Sequence, residues 1–429
     1  MAPAGASPVT RTDAPLIAEN RNMLRIEMLP AAHGDCLWIE YGSGTAVHRI
    51  LIDGGPAHTY PALRERILHL PASERHFDLL VITHVDADHI EGVIRLLLDA
   101  EALHCRFDRI WFNGRDQLNA VPDPAGEPLG ALQGEILGVL IADYEARTGT
   151  RVWNLGFDQA LAAIDRLQPA LPTVELPGDC RLTLLSPDHE RLLILKDRWK
   201  KELDRAGIAS GDVAALRARL AASRSLRPLG DVLGAEDDAD EAEAMSGRHE
   251  LPEDDDSDLG AELEDTLGRG SGEPGGDAPF GGDASAANGS SIALLLEYPA
   301  TSPEVRLLLA GDAWPGVLES SLATLLGDPT KRLALDAFKL PHHGSVANLS
   351  ASLLDRLRCN HYLVSTSGAL FRHPHKRALD LILERHAGAG RPTLHFNYLT
   401  RCTEPWSNRA DQTSRRYRAT HPKGQAVSF

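Results

Sequence analysis

The chain has no run of about 18 consecutive apolar residues, so nothing in it reads as a membrane-spanning helix. Its first 22 residues carry Ala, Pro and Thr but no continuous apolar core of the kind a secretory signal needs, and the expected location is the cytoplasm. Its five cysteines, Cys36, Cys105, Cys180, Cys359 and Cys402, are odd in number, scattered and never spaced as Cys-x-x-Cys. That excludes a disulfide scaffold or a cysteine-based zinc ribbon and suits reduced, structural thiols. An excess of positive charge is also missing: the net charge is -17 at pH 7. A protein whose whole surface attracts nucleic acid or anionic lipid is therefore excluded.

What is present is the composition of a globular protein. Of 429 residues, 43% are hydrophobic and 24% charged, enough to bury a substantial core. Three short apolar segments starting at Leu24, Cys36 and His48 read as strands, each ending near Gly or Pro. Helical spacing of Leu63, Ile67 and Leu70 predicts a helix over 61–70, and the nearly unbroken apolar run from Phe77 to Thr83 a strand buried on both faces. Further helices are expected over 90–100, 129–147, 157–167, 190–220, 317–326 and 350–357, with strands at 109–113, 181–186, 291–298, 305–312, 334–340 and 362–365. Strands and helices alternate, an insert follows, and the alternation resumes, as two packed α/β halves would.

The insert, 229–290, is rich in Asp, Glu, Gly, Ser and Ala and is expected to be disordered. Twelve acidic residues fall between Glu236 and Asp258 against the single base Arg248. The boundaries read from composition are a flexible 1–22, a first folded part 23–228, the insert, a second folded part 291–400 and a basic tail 401–429.

Chemistry concentrates in Thr83-His84-Val85-Asp86-Ala87-Asp88-His89, which places four metal-ligand side chains within six residues between a buried strand and a helix. Two buried carboxylates beside two histidines cost several kcal/mol each unless a cation or a strong network compensates. Leu308-Leu309-Ala310-Gly311-Asp312 ends a second apolar strand in an acid, and Lys339-Leu340-Pro341-His342-His343-Gly344-Ser345 ends a third in paired histidines.

Together these segments resemble the metallo-β-lactamase superfamily, whose pattern is His-x-His-x-Asp-His followed by a later Asp and a later His. The match is nearest to the soluble hydrolase domain of ComEC-type competence proteins, on His33-Gly34-Asp35, Ile52-Asp53-Gly54-Gly55, Gly311-Asp312, His342-His343-Gly344-Ser345 and His373-Pro374 in family order. The resemblance implies an αββα sandwich of α/β class carrying a long acidic insertion, and two divalent cations (Mn²⁺, Mg²⁺ or Zn²⁺). It assigns His84 and Asp86 to one metal, Asp88 and His89 to the other, Asp312 as a bridge, and one of His342 or His343 to complete the second site. Asp53 would support the histidine loop, and Asp88, Asp312, His373 and Lys339 would carry the chemistry. Ser345, His373 and Lys339 would contact substrate phosphate. Asp86 stands where the commoner pattern has His, which favours harder ions. His189 is the one placed candidate for the family's further histidine.

The expected activity is metal-dependent phosphodiester hydrolysis, with DNA or another nucleic acid as substrate and a role in defence against foreign DNA. A small or cyclic nucleotide is the alternative substrate, and a non-catalytic nucleic-acid or nucleotide binding module the alternative of another class. Arg401 to Lys423 interleaves bases with Trp406 and Tyr417, as a single-strand contact would. The acidic insert is a candidate inhibitory segment that a regulatory protease acting on 229–290 would release.

Overall fold

A computed structural model describes residues 22–44, 46–121, 132–206, 283, 285–421 and 426–429. The expected flexible N-terminus and nearly all of the acidic insert lie outside the described residues.

The fold is mixed α/β, built on two large sheets. Strands β1 (Asn22–Met28), β2 (Leu37–Ser43) and β3 (Ala46–Ile52) form an antiparallel meander. After helix α1 (Tyr60–Leu68), a short β4 (His76–Phe77) leads to β5 (Leu79–Val81), which lies parallel to β3. Helix α2 (Ala87–Asp99) and β6 (Arg106–Phe107), the partner of β4, lead to β7 (Ile110–Trp111), parallel to β5. Helices α3 (Arg115–Ala120) and α4 (Leu132–Thr148) then run to β8 (Thr173–Leu176) and β9 (Cys180–Ser186). Helix α5 (His189–Ala206) closes the first half.

The second half contributes β10 (Ala293–Tyr298), β11 (Val305–Leu309), β12 (Leu333–Lys339), β13 (Leu357–Val364), β14 (Thr393–Phe396) and β15 (Arg418–Thr420). Its helices are α6 (Pro315–Leu326), α7 (Ala351–Asp355), α8 (Lys376–Arg385) and α9 (Arg409–Ser414). The last strand, β16 (Ala426–Ser428), crosses back to pair with β1. The resulting orders are β16-β1-β2-β3-β5-β7 and β15-β14-β13-β12-β11-β10-β9-β8.

Strand alternation explains the layering. In β2, Leu37, Ile39 and Tyr41 face one way and Trp38 the other. The first set joins Leu182, Leu294 and Leu307 of the eight-stranded sheet in a core between the two sheets. Trp38 instead packs with Leu63, Ile94 and Ile141 of α1, α2 and α4 on the outer face. On the far side, Leu318, Leu353 and Leu379 of α6, α7 and α8 cover Leu295, Leu308 and Phe338.

Several expectations are corrected here. Residues 157–167 do not form a helix but an irregular stretch with one short turn, Asp158–Ala160, because the segment spends its hydrogen bonds across the chain. Asn113 Nδ2 donates to the Ala162 carbonyl and Ile164 N to that of Pro187. Helix α2 starts at Ala87, so Asp88 and His89 occupy its first turn rather than the preceding loop. Residues 401–429 are not a free tail. Trp406 and Tyr417 are buried edge to face 5.6 Å apart, and β15 and β16 extend the two sheets. Described structure after the insert resumes at Asp283, earlier than the expected 291. No helix among the described residues is long and apolar enough to cross a membrane.

Candidate metal centre

Parallel pairing brings the carboxyl ends of several strands to one rim, where sites on α/β scaffolds form. The segment after β5 supplies Thr83 and His84, and α2 then carries Asp88 and His89 inward from its first turn. The helix begins so close to the strand because two glycines remove side chains at the crossing. A Cβ on Gly54 would lie 2.4 Å from Val93 N, and one on Gly92 2.0 Å from Gly54 O. Gly54 N donates to His89 O and Gly92 N to Gly55 O, at 2.9 and 2.8 Å. That docking puts the fully buried Asp53 within reach. Its carboxylate accepts from Thr83 N, Thr83 Oγ1 and His89 Nδ1, each at 2.8 Å.

The same device recurs at the four histidines. Thr83 Oγ1, which donates to Asp53, lies 3.0 Å from His84 Nδ1, and Ser291 Oγ lies 3.2 Å from it. His343 Nδ1 donates to the Ser365 carbonyl at 2.9 Å, and His342 Nδ1 to Asn348 Oδ1 at 2.9 Å. Each Nδ1 is thus engaged, which leaves Nε2 as the nitrogen turned to the centre, the arrangement a metal-binding imidazole requires.

The free atoms converge. His89 Nε2 lies 3.4 Å from Asp312 Oδ2 and 3.7 Å from Asp88 Oδ2, and His343 Nε2 lies 3.5 and 3.4 Å from the same two oxygens. His84 Nε2 is 3.5 Å from Asp86 Oδ2, and the less buried His342 reaches Asp312 Oδ2 at 3.9 Å. Candidate ligand atoms fall within 4.8 Å of one another in the groups His84, His89, Asp312 and Asp88, His89, His343. The grouping Asp35, Asp53, His89 meets the same distance, but Asp53 already accepts three hydrogen bonds from Thr83 and His89.

Electrostatics record the density of charge. Burial disfavours the imidazolium of His89, yet Asp312, Asp88 and Asp53 hold it well above the ordinary histidine range. His343 is pushed up to about 9 against burial by Asp312 and Asp35. Conversely, burial works against the charge on Asp88 and Asp312, but the surrounding histidines hold both carboxyls well below their ordinary range. The buried Nε2 atoms of His84, His89 and His343 and Oδ1 of Asp312 have no hydrogen-bond partner. Unsatisfied polar atoms at this density are costly, and a cation satisfies them together. The donor set therefore fits a metal.

Backbone strain concentrates on the same rim. His342 and His343 both adopt left-handed conformations, with φ of 44° and 54°, a cost of about 1–3 kcal/mol each for residues with a Cβ. Helix α2 meanwhile directs its N-terminus, which favours anions, at Asp88.

Among the expected site residues, His84, Asp86, Asp88, His89, Asp312, His342 and His343 are brought together. His373 is buried behind the paired histidines, its ring 5.1 Å from that of His342 and 6.3 Å from that of His343. Burial, with His342, His375 and His343 close by, holds its pKa well below the ordinary value. Lys339 and Ser345 are both fully buried. Lys339 lies fully buried on β12, a central rather than an edge strand, with its ammonium against Asp35. Ser345 is fully buried and accepts from Ala347 N at 3.3 Å, capping the next turn. His189 begins α5 and belongs to none of the metal-capable groups found among the described residues.

Sequence reasoning missed three contributors. Asp35 lies 3.4 Å from His343 Nδ1. Asp283 accepts from Asn348 Nδ2 at 2.7 Å and so braces the residue that holds His342. His33 lies close enough for Asp88 to act on its charge, although burial lowers its pKa overall. The motif His33-Gly34-Asp35 was visible as a family mark but carried no sign of its contacts. The sequence matches no model of a known protein family and no curated protein.

Proposed function

We propose that the chain is a metal-dependent phosphodiesterase of the metallo-β-lactamase αββα type, resembling the hydrolase domain of ComEC-type proteins, and that it acts on a nucleic acid. The observation that carries this reading is the convergence of partnerless Nε2 atoms from His84, His89 and His343 on the carboxylates of Asp88 and Asp312. Face-to-face sheets with helices outside, and ligands drawn from strand ends, support the family reading.

Asp88, His89 and His343 would hold one divalent cation, His84 and Asp86 the other, with Asp312 between them. Bound there, two cations would supply the acidity that turns water into a nucleophile and the charge that stabilises phosphoryl oxygens. The protein's own groups do the positioning. Asp53 fixes the ring of His89, the Ser365 carbonyl that of His343, and Asn348 that of His342. His373, kept neutral, packs against the rings of His342 and His343 without adding a like charge beside the metals. Asp86, 42% exposed, marks the open side of the site.

The test is cleavage of single- and double-stranded DNA, RNA and cyclic dinucleotides with Mn²⁺, Mg²⁺ or Zn²⁺, by the intact chain and by Asp88→Ala/His89→Ala. Metal-dependent polynucleotide cleavage that the double variant loses supports the proposal. Turnover of cyclic dinucleotides alone would move the assignment to a small-nucleotide phosphodiesterase, and silence throughout would leave a binding module.

A further inference from the structure

The two aromatics expected to stack on nucleic acid, Trp406 and Tyr417, are buried. Among the exposed large hydrophobic residues described, Phe371 is the one aromatic, at 39% exposure. A single exposed apolar side chain is ordinary on a protein surface. Its surroundings are what distinguish this one.

Phe371 lies beside the candidate metal centre. Its ring lies 6.3 Å, edge on, from His33 and 5.9 Å from His373, whose own ring adjoins both His342 and His343. His33 precedes Gly34, and a Cβ there would lie 1.8 Å from Asp88 O, so this loop rests on the ligand-bearing turn itself. The loop that carries Phe371 is tied to two others. Ser367 N donates to Ala32 O at 2.6 Å, and Ala32 N to Tyr398 Oη at 3.0 Å. A Cβ on Gly368 would lie 2.9 Å from Cys402 Sγ, which ties the 367–373 loop to the 398–402 loop.

Those loops carry cations. Arg372 follows Phe371 with a left-handed φ of 56°, and Arg401 precedes Cys402; both side chains are exposed. Burial raises the Cys402 thiol, while Arg401 and Arg372 act in the opposite direction. Neither forms an ion pair with a carboxylate among the described residues, a condition shared by other exposed arginines such as Arg358 and Arg409. On a chain of net charge -17, two exposed arginines without a carboxylate partner among the described residues, close in sequence or loop contact to an exposed ring beside an acidic site, form a local reversal of charge.

We infer that Phe371, Arg372 and Arg401 form the substrate rim for a single-stranded polynucleotide, Phe371 stacking on a base while the two guanidiniums pair with phosphates beside it. A base held inside a duplex offers no free face to a single protruding ring, whereas an unpaired base does. Arginine suits this position because its planar fork matches phosphate oxygens. The inference rests on the phosphodiesterase reading above for the role of the adjacent centre, but binding at the rim is measurable without catalysis.

The experiment measures fluorescence anisotropy of a labelled oligothymidylate and of a labelled duplex, with the full-length protein and no added metal, across a salt series. Phe371→Ala should weaken oligothymidylate binding by about tenfold, and Phe371→Trp should retain it. Arg372→Gln/Arg401→Gln should lower the slope of log affinity against log salt by about 1.4, at roughly 0.7 for each phosphate that is no longer neutralised. Duplex binding should change little with Phe371→Ala. Equal oligothymidylate affinity for Phe371→Ala and the parent, equal losses for duplex and single strand, or no single-strand binding by the parent would each overturn the inference. Unchanged melting temperatures establish that the variants are folded. Cleavage of bis(p-nitrophenyl) phosphate with Mn²⁺ separates the two readings. Rim-dependent binding without that cleavage removes the phosphodiesterase assignment alone, and cleavage without rim-dependent binding removes the rim alone.

Discussion

Lys339 and Asp35 form a fully buried ion pair beside the candidate metal centre, and the other oxygen of Asp35 lies 3.4 Å from His343 Nδ1. The lysine also approaches the Gly311 carbonyl at 3.5 Å, one residue before Asp312. A single buried pair therefore touches both later ligand segments.

Removing one partner leaves an uncompensated charge in the core. Lys339→Met should cost about 3–5 kcal/mol of unfolding free energy in urea, and Asp35→Asn/Lys339→Met considerably less, because the pair's desolvation is then removed with it. A single variant within about 1 kcal/mol of the parent, the resolution of such titrations, would mean that the charges are not buried as described.

Asp53→Asn acts through orientation. The amide places an N–H where Oδ2 accepts from His89 Nδ1 at 2.8 Å, which favours the tautomer protonated on Nε2 and so blocks a ligand position. Calorimetric Mn²⁺ affinity should fall about 10–100-fold with the fold retained. Unaltered affinity would show that His89 needs no such partner.

The pair His361 and His395 predicts acid sensitivity away from the site. Their rings stack 5.1 Å apart with Nδ1 and Nε2 at 2.8 Å, and Thr420 Oγ1 lies 3.1 Å from His395 Nδ1. Burial, and then His361, lowers His395 to about 4 from 6.5, while Asp336 and Arg418 act in opposite senses on His361. Above pH 6.5 neither the folded nor the unfolded chain binds the proton. Between the two values only the unfolded chain does, so stability falls as pH falls, by up to about 3 kcal/mol. His395→Gln should flatten that part of the stability profile, and parallel profiles would refute the assignment.

Two glycines provide a matched contrast. Gly34→Ala drives a methyl into the Asp88 carbonyl and should destabilise by more than about 2 kcal/mol and impair Mn²⁺ binding. Gly316→Ala, in the first turn of α6 with nothing within 4 Å, should be neutral or stabilising by up to about 1 kcal/mol. Melting curves of the two variants decide this directly; equal shifts would mean that the 33–35 loop does not press on α2.

Legibility followed the range of the interactions involved. The strand ending at Val81 was readable because Leu79, Leu80 and Val81 are all buried, and a run buried on both faces needs no alternation. Helix α2 was readable from Ile90, Val93, Ile94 and Leu97 at helical spacing, although it begins three residues before Ile90 because Asp86 to His89 show no apolar period. The stretch 157–167 misled for the converse reason: its apolar residues suit a helix, but Asn113 and Pro187 take its backbone partners. The basic run after Arg401 read as a tail because Trp406 and Tyr417 are buried on each other within the outer core of the eight-stranded sheet, which no local apolar period announces.

By itself, then, the sequence determined the strand ends and the metal-capable residues standing on them, since apolar runs, glycines and adjacent acids and histidines are local patterns. Tertiary structure alone decided which ring nitrogen each histidine turns inward, that Lys339 pairs with Asp35 in the core, and that Phe371 is exposed while Trp406 is buried. Each of those outcomes depends on hydrogen bonds, ion pairs and burial between segments far apart in the chain, and the short-range periodicity of a sequence carries no record of them.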